Sequence, residues 1–278
     1  MPLAPSWLLR RQPAPTKFDR SLQRTVTDTI TYDEEPARRI QLLSETADLR
    51  AQRQLVIELL APQPGWRVLD VGCGPGHLTR ELAKAVGPAG RVFGADISEH
   101  MLSLAKHPGV ELVHLTDSTL PFETETFDAA VATQAYEFVE QLPLALSELH
   151  RVLRVGGRAL ILDTDWDSLV WHSSDPERMK RVIDGWRERV AHPRLPRTLA
   201  RLLRDAGFEV IHRGTFTIFD VRGDVGSYSA HQIEHIGLSA RSVPSTERSA
   251  WEADLRELAV TGDYFFSLNP YTFLATKP

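Results

Sequence analysis

Residues 68–76 read Val68-Leu69-Asp70-Val71-Gly72-Cys73-Gly74-Pro75-Gly76, an apolar run that reaches an acid and then breaks into alternate glycines. The run has the continuity of a strand buried on both faces. Glycines in the turn that follows let a ligand approach the backbone and let φ become positive. The helix expected from about His77 aims unpaired N–H groups and the positive end of its dipole at the same turn. Asp96 ends the next apolar run, twenty residues after Gly76. A carboxylate at that place accepts the two hydroxyls of a ribose. The motif therefore predicts a nucleotide-like ligand at the ends of two neighbouring strands.

The glycine spacing narrows the choice of ligand. A dinucleotide fold carries Gly-x-Gly-x-x-Gly, whereas this turn is Gly-x-Gly-x-Gly with Asp70 two positions before it. A pyrophosphate is repelled by Asp70 and a cationic ligand is attracted. A dinucleotide-dependent oxidoreductase is thus the weaker reading, and a purely structural glycine turn is the ordinary alternative.

Outward from the motif, strand-length runs alternate with helical faces. Arg67–Val71, Val92–Ala95, Val110–Leu115, Phe127–Ala132 and Ala159–Leu162 read as strands. Leu78, Leu82 and Val86 mark one helix face, Met101–Ala105 lies on another, and Leu142, Leu146, Leu149 and Leu153 mark a third. Such alternation predicts an α/β fold with a doubly wound, mostly parallel sheet and right-handed crossovers, whose ligands sit at the carboxyl ends of the strands. Past residue 163 the alternation stops. Residues 164–193 and 221–262 are too long for simple connections and read as helical cap insertions. Between them lie a helix from Leu195 to Ala206, closed by Gly207, and a strand over Phe208–Phe219 bent at Gly214. Tyr264–Thr276 is the final strand, the seventh of the sheet. Residues 1–45 form an N-terminal arm and helix, with prolines at 2, 5, 13 and 15, and residues 46–278 form the main domain. The helical pattern runs from about 34 to 60, and Pro62 and Pro64 close it.

Composition sets further bounds. The 278-residue chain has a formal net charge of −5 and no long basic run, which argues against a nucleic-acid partner. Cys73 is the single cysteine, so no internal disulfide forms and a thiolate-rich zinc site is not expected. No stretch reaches the ~20 apolar residues of a membrane span, and the N-terminal apolar stretch is too short for a signal peptide. The expectation is a cytoplasmic protein with a small-molecule partner; a homodimer stays open.

The ordered motifs resemble those of class I S-adenosylmethionine-dependent methyltransferases, in the small-molecule branch of the ubiquinone and menaquinone C-methyltransferases. Val68–Thr79 resembles the first family motif, and Phe93-Gly-Ala-Asp-Ile-Ser98 the second. Asp117-Ser118, followed by Leu120-Pro-Phe122, is similar to the segment after strand three that contacts the adenine amino group. Phe127–Val131 is similar to the fourth strand and Arg151–Gly157 to the helix-to-strand turn, with Val155 where the family usually has proline. The likeness is strong over roughly residues 45–163. It implies the seven-stranded Rossmann-like methyltransferase fold and S-adenosylmethionine as cofactor. It also implies a cofactor set of Asp70, Gly72, Cys73, Gly74, Gly76, Asp96, Ile97, Met101, Asp117, Ser118, Thr133 and Gln134, with Tyr32 closing from the N-terminal segment. Tyr136 and Glu137 lie near the transferred methyl in this reading.

Methyl transfer is an in-line displacement, in which much of the rate comes from holding the acceptor close to the methyl in a dry site. A hydroxyl or carbon acceptor also needs a base, and His172, Tyr136 and Glu137 are the catalytic candidates. His231 and His235, spaced i, i+4, face a substrate together or simply pack. A metal there lacks a third ligand, and none is expected. Trp166, Trp171 and Tyr228 line an aromatic acceptor pocket or fill the core of the cap. Asp163, Asp165 and Asp167 read as a strand end and turn caps, since a calcium loop would need the missing Gly and Glu. A cofactor-binding regulator without turnover is the non-enzymatic alternative.

Overall fold

The computed structural model describes residues 34–278, and their side chains from residue 37. Tyr32 and the proline-bearing arm lie outside the described residues. Two helices open the described chain, α1 (Glu34–Ser44) and α2 (Ala47–Leu60), where the sequence pattern suggested one. The break follows from capping. Thr46 has extended backbone and its hydroxyl accepts the Leu49 N–H, so a new helix starts there.

The main sheet then alternates with helices: β1 (Arg67–Val71), α3 (His77–Val86), β2 (Arg91–Asp96), α4 (Glu99–Ala105), β3 (Val110–His114), β4 (Phe127–Thr133), α5 (Leu142–Val152) and β5 (Leu153–Thr164). Leu153 belongs to β5 and not to the helix before it. Its pairing with Phe127 jumps to Arg158 with Ala129, the irregularity that Gly156 and Gly157 absorb. The chain continues through β6 (Val170–Trp171), α6 (Pro176–Arg187), α7 (Pro196–Asp205), β7 (Glu209–Thr215), β8 (Ile218–Asp220), α8 (Tyr228–Ser239), α9 (Ser245–Thr261), β9 (Phe266–Leu268) and β10 (Pro270–Thr276).

Seven strands form one sheet in the order β3-β2-β1-β4-β5-β10-β7, parallel from β3 to β5, with β10 antiparallel to both neighbours. This is the doubly wound, mostly parallel architecture expected. Alternate residues feed two cores, as the strand period requires. Val68, Val92, Val131 and Leu160 pack beneath α2 and α3, while Leu69, Phe93, Ala130 and Ile161 pack beneath α5 and α7. Strand order reverses between β1 and β4, and at such a switch point the crevice at the carboxyl ends takes a ligand.

The cap has a core of its own. Trp166, Trp171, Trp186, Trp251, Tyr228, Tyr264 and Phe266 are buried together between α6, α8, α9 and a second sheet in the order β6-β9-β8. That small antiparallel sheet takes the end of the expected bent strand, as β8, and the start of the expected final strand, as β9, while β7 and β10 stay in the main sheet. The chain steps directly from strand to strand between the two sheets at residues 216–217, from β7 to β8, and at Asn269, from β9 to β10. Among the described residues no helix is long and apolar enough to cross a membrane.

Candidate active site

The turn after β1 is built by glycines with distinct jobs. Gly72, Gly74 and Gly76 all have positive φ, at +70°, +51° and +77°. A Cβ on Gly72 would lie 2.6 Å from the Ala135 Cβ, and one on Gly76 would lie 2.8 Å from the Ala105 Cβ. These two glycines are demanded by packing. A Cβ on Gly74 meets nothing within 4 Å, so its side of the turn is the open one. The N–H groups of Gly72 and Cys73 both donate to the Ala95 carbonyl at the end of β2, at 2.8 and 3.1 Å. Cys73 is buried with its sulfur against Gly94, and burial beside Asp70 and Asp96 pushes its thiol pKa up. A protonated, enclosed thiol is a packing group and not a nucleophile.

Two carboxylates border the turn. Asp96 accepts the Gly74 N–H at 2.8 Å on Oδ2 and the Ser98 N–H at 2.9 Å on Oδ1, which fixes its plane and leaves each oxygen a further lone pair. Burial raises the Asp96 pKa, against those backbone bonds. Asp70 is buried, and its Oδ2 accepts from the Thr79 hydroxyl at 2.6 Å. Burial pushes the Asp70 pKa up to about 7, with the nearby Asp96 charge adding to it and Thr79 opposing it. Among the described residues no Lys or Arg forms an ion pair with either carboxylate. Two buried acids with no Lys or Arg paired to them among the described residues, beside an open glycine, suit a positively charged ligand and disfavour a pyrophosphate.

Other residues of the expected set surround this turn. Ile97 follows Asp96 and is half exposed. Met101 is buried on α4, and its N–H caps on the Ser98 hydroxyl at 3.2 Å. Asp117 is exposed after β3, its Oδ1 held by the Thr119 N–H and hydroxyl, which lower its pKa. Ser118, next to it, is half-buried. Thr133 ends β4, and Gln134 follows in the left-handed region at φ +53°. A non-glycine residue there stores strain, which its surroundings must hold. The Gln134 N–H donates to the Leu162 carbonyl at 2.7 Å, and its side-chain oxygen accepts from the Thr164 hydroxyl at 2.8 Å. Tyr136 and Glu137 form a short 3-10 turn with Phe138, and both are buried. Burial near the Asp163 carboxylate raises the Tyr136 pKa.

The remaining candidates belong to the cap. His172 is exposed just after β6, and its N–H donates to the Phe265 carbonyl at 2.9 Å. Trp171 packs edge-on against Trp251 and Phe266, at 5.5 and 4.8 Å between ring centroids, and Trp166 against Trp186 at 5.1 Å. Tyr228 is buried, its ring 6.1 Å from that of Phe266. The His235 ring lies 5.0 Å from Trp186, and burial together with the Arg39 charge pushes its pKa down to about 4. His231 is half-buried one turn earlier on α8. The structure thus gathers the glycine-loop set at the strand ends and places the aromatic set in the cap core.

Sequence reasoning passed over three features. Thr79, the partner of Asp70, stands two residues after His77, at a spacing that puts it on the buried face of α3. Asp163 and Glu137, at the ends of neighbouring strands, share a buried environment in which both pKa values are raised. Asp165 and Asp167 tie the start of the cap to Arg197, Arg194 and Arg187, with Arg197 to Asp165 at 2.6 Å. The Asp-x-Asp-x-Asp spacing was the available signal for this clip, and Asp165 does cap a turn by accepting the Asp167 N–H.

Comparison with known proteins gives a consistent picture. Residues 69–161 match the family described as a methyltransferase domain. A 37.1 kDa protein of unknown role from transposon TN4556 of Streptomyces fradiae is 36% identical over 198 residues, 69% of this chain and 55% of that protein. The demethylmenaquinone methyltransferase of Staphylococcus aureus is 38% identical over 122 residues, 42% of this chain and 51% of the relative. The chain therefore spans about half the length of these curated relatives. Phosphoethanolamine N-methyltransferase 2 of Haemonchus contortus, crystallised with S-adenosyl-L-methionine, superposes with a TM-score of 0.58 at 19% identity, over 90% of this chain and 59% of that one. At that identity the likeness is one of fold.

Proposed function

We propose, from a chain whose residues 69–161 form a class I S-adenosylmethionine-dependent methyltransferase domain, that this protein moves the methyl group of S-adenosylmethionine to an oxygen, carbon or nitrogen atom of a small molecule. The observation that carries the reading is the pair of buried acids, Asp70 and Asp96, with no Lys or Arg ion-paired to them among the described residues, at the open Gly74. When bound, the donor supplies a sulfonium methyl that a nucleophile displaces in line. Asp96 accepts the ribose hydroxyls, and Gly74 admits the ligand to the backbone. Ile97, Met101, Asp117 and Ser118 border the adenine, and Thr133 and Gln134 the methionine part. The cap core reaches the turn after β4 through Phe138, which packs edge-on to Trp186, and in this reading it shields the acceptor from water. Approximation of the acceptor is the main rate factor that the fold provides.

Calorimetry with S-adenosylmethionine, S-adenosylhomocysteine and NAD tests the donor. Binding of the first two without NAD is expected, and binding of NAD alone would overturn the proposal. Conversion of the donor to S-adenosylhomocysteine in the presence of a metabolite extract tests turnover. Tight donor binding with no such conversion would instead identify a regulator.

Asp70 makes donor binding pH-dependent. Its pKa of about 7 in the free protein falls when a cation binds beside it, so binding releases a proton. S-adenosylmethionine affinity should therefore rise as pH increases from 6 to 8, by about tenfold. In Asp70→Asn that slope should be flat. The fold responds with the opposite sign. Because the folded pKa is raised above 3.8, the folded protein holds the proton more tightly, and this contribution to stability is lost as pH rises toward 7.

A further inference from the structure

At the ends of β4 and β5, two buried carboxylates cross over to hold each other's backbone. Asp163, on β5, accepts the Ala135 N–H at 3.0 Å from the turn after β4. Glu137, on that turn, accepts the Thr164 N–H at 3.0 Å from the end of β5. Both side chains are buried, at 0% and 1% exposure. The second Asp163 oxygen has no donor partner among the described residues. Burial pushes the Asp163 pKa up to about 8 and raises that of Glu137, to which the Asp163 charge adds. Repulsion between two full charges here favours a proton on the pair. The other titratable groups whose fields reach the pair are Tyr136 on the same turn and Tyr228 on α8, with Asp48 of α2 beyond Tyr228. None of them carries a positive charge.

The crossed bonds bear on the glycine loop through one short chain of contacts. They flank Gln134, whose left-handed backbone is strained in a residue that carries a side chain. Past Gln134, Ala135 stands so close to Gly72 that a Cβ there would lie 2.6 Å from its own. The Thr164 hydroxyl bond to the Gln134 side chain reinforces the same junction.

We propose that Glu137 and Asp163 are positioning residues: their crossed carboxylate-to-amide bonds hold Gln134 in its strained backbone and seat Ala135 against Gly72, which fixes the donor-binding loop. The functional part of this inference rests on the reading of the loop as a donor site. The pair acts through the backbone and not as a base toward the substrate.

The test combines S-adenosylhomocysteine calorimetry with hydrogen exchange of the intact protein. Asp163→Ala and Glu137→Ala should each weaken binding by about tenfold or more, the worth of a lost charged or buried hydrogen bond. They should also speed amide exchange in residues 72–76 and 134–138 together. Asp163→Asn and Glu137→Gln keep an acceptor oxygen and should stay within about threefold of the parent. Should the alanine variants fail to fold, Thr164→Val, which deletes only the hydroxyl bond, should give faster exchange at Gln134 and Ala135. Parental exchange and affinity in the alanine or valine variants would overturn the proposal, as would equal losses in the Asn and Gln variants. If the parent protein binds no S-adenosylhomocysteine, the donor reading fails, and the exchange data still decide whether the crossed bonds hold the loop.

Discussion

Asp96→Ala should weaken S-adenosylhomocysteine binding by about two orders of magnitude, because each charged hydrogen bond contributes roughly 1.5–3 kcal/mol and the variant loses those to both ribose hydroxyls. A second loss compounds the first. The Gly74 and Ser98 N–H groups, now bonded to Asp96 at 2.8 and 2.9 Å, are left without an acceptor. The loop then pays for their desolvation even without ligand, so the variant should also melt earlier. Asp96→Asn keeps one acceptor oxygen and should lose about tenfold. Calorimetric titration at fixed pH checks the series, and an Asp96→Ala protein that binds like the parent would remove Asp96 from the donor site.

The second large effect separates two glycines of the same turn. Gly76→Ala should lower the melting temperature by roughly 5–15 °C. The left-handed backbone costs about 1–2 kcal/mol with a Cβ, and overpacking adds about 1–3 kcal/mol. The clash is with Ala105, whose Cβ and Cα would lie 2.8 and 2.9 Å from the new atom, and backbone there cannot step aside. Gly74→Ala meets no protein atom within 4 Å. Its melting temperature should fall by only a few degrees, from backbone strain alone. Its S-adenosylhomocysteine affinity should nevertheless drop by about tenfold or more, because the added Cβ takes the ligand's space. Scanning calorimetry and titration on the two variants check the contrast. Equal melting temperatures would mean that Ala105 yields.

What the sequence made legible was local. Asp70, the alternate glycines and Asp96 lie at strand ends that hydrophobic runs mark, and positive φ at three glycines is a property of single residues. The five parallel strands, and the helices α3, α4 and α5 on three of their four crossovers, follow from the same runs. The crossed pair was not legible, because Ala135 and Asp163, like Glu137 and Thr164, meet only when β4 and β5 stand side by side. The cap sheet escaped for a different reason. Its strands are two or three residues long, Val170–Trp171, Ile218–Asp220 and Phe266–Leu268, too short for any periodicity to register. The aromatic residues illustrate a third limit. Composition places Trp166, Trp171 and Tyr228 in the cap, but whether they face a ligand or one another depends on Trp186, Trp251 and Phe266 arriving from distant elements.

The position of β10 has a consequence for biosynthesis. It lies between β5 and β7 in the sheet, yet it follows every other strand in the sequence. While the ribosome is still making the cap, β5 presents a bare edge of apolar backbone and β7 has no neighbour to pair with. Such an edge is a site for wrong association until it is filled. Only when Pro270–Thr276 emerges does the sheet close, with Lys277 then donating to the Leu153 carbonyl at the foot of β5. Pairing of β10 with β5 and β7 is thus the last strand pairing this sheet can make.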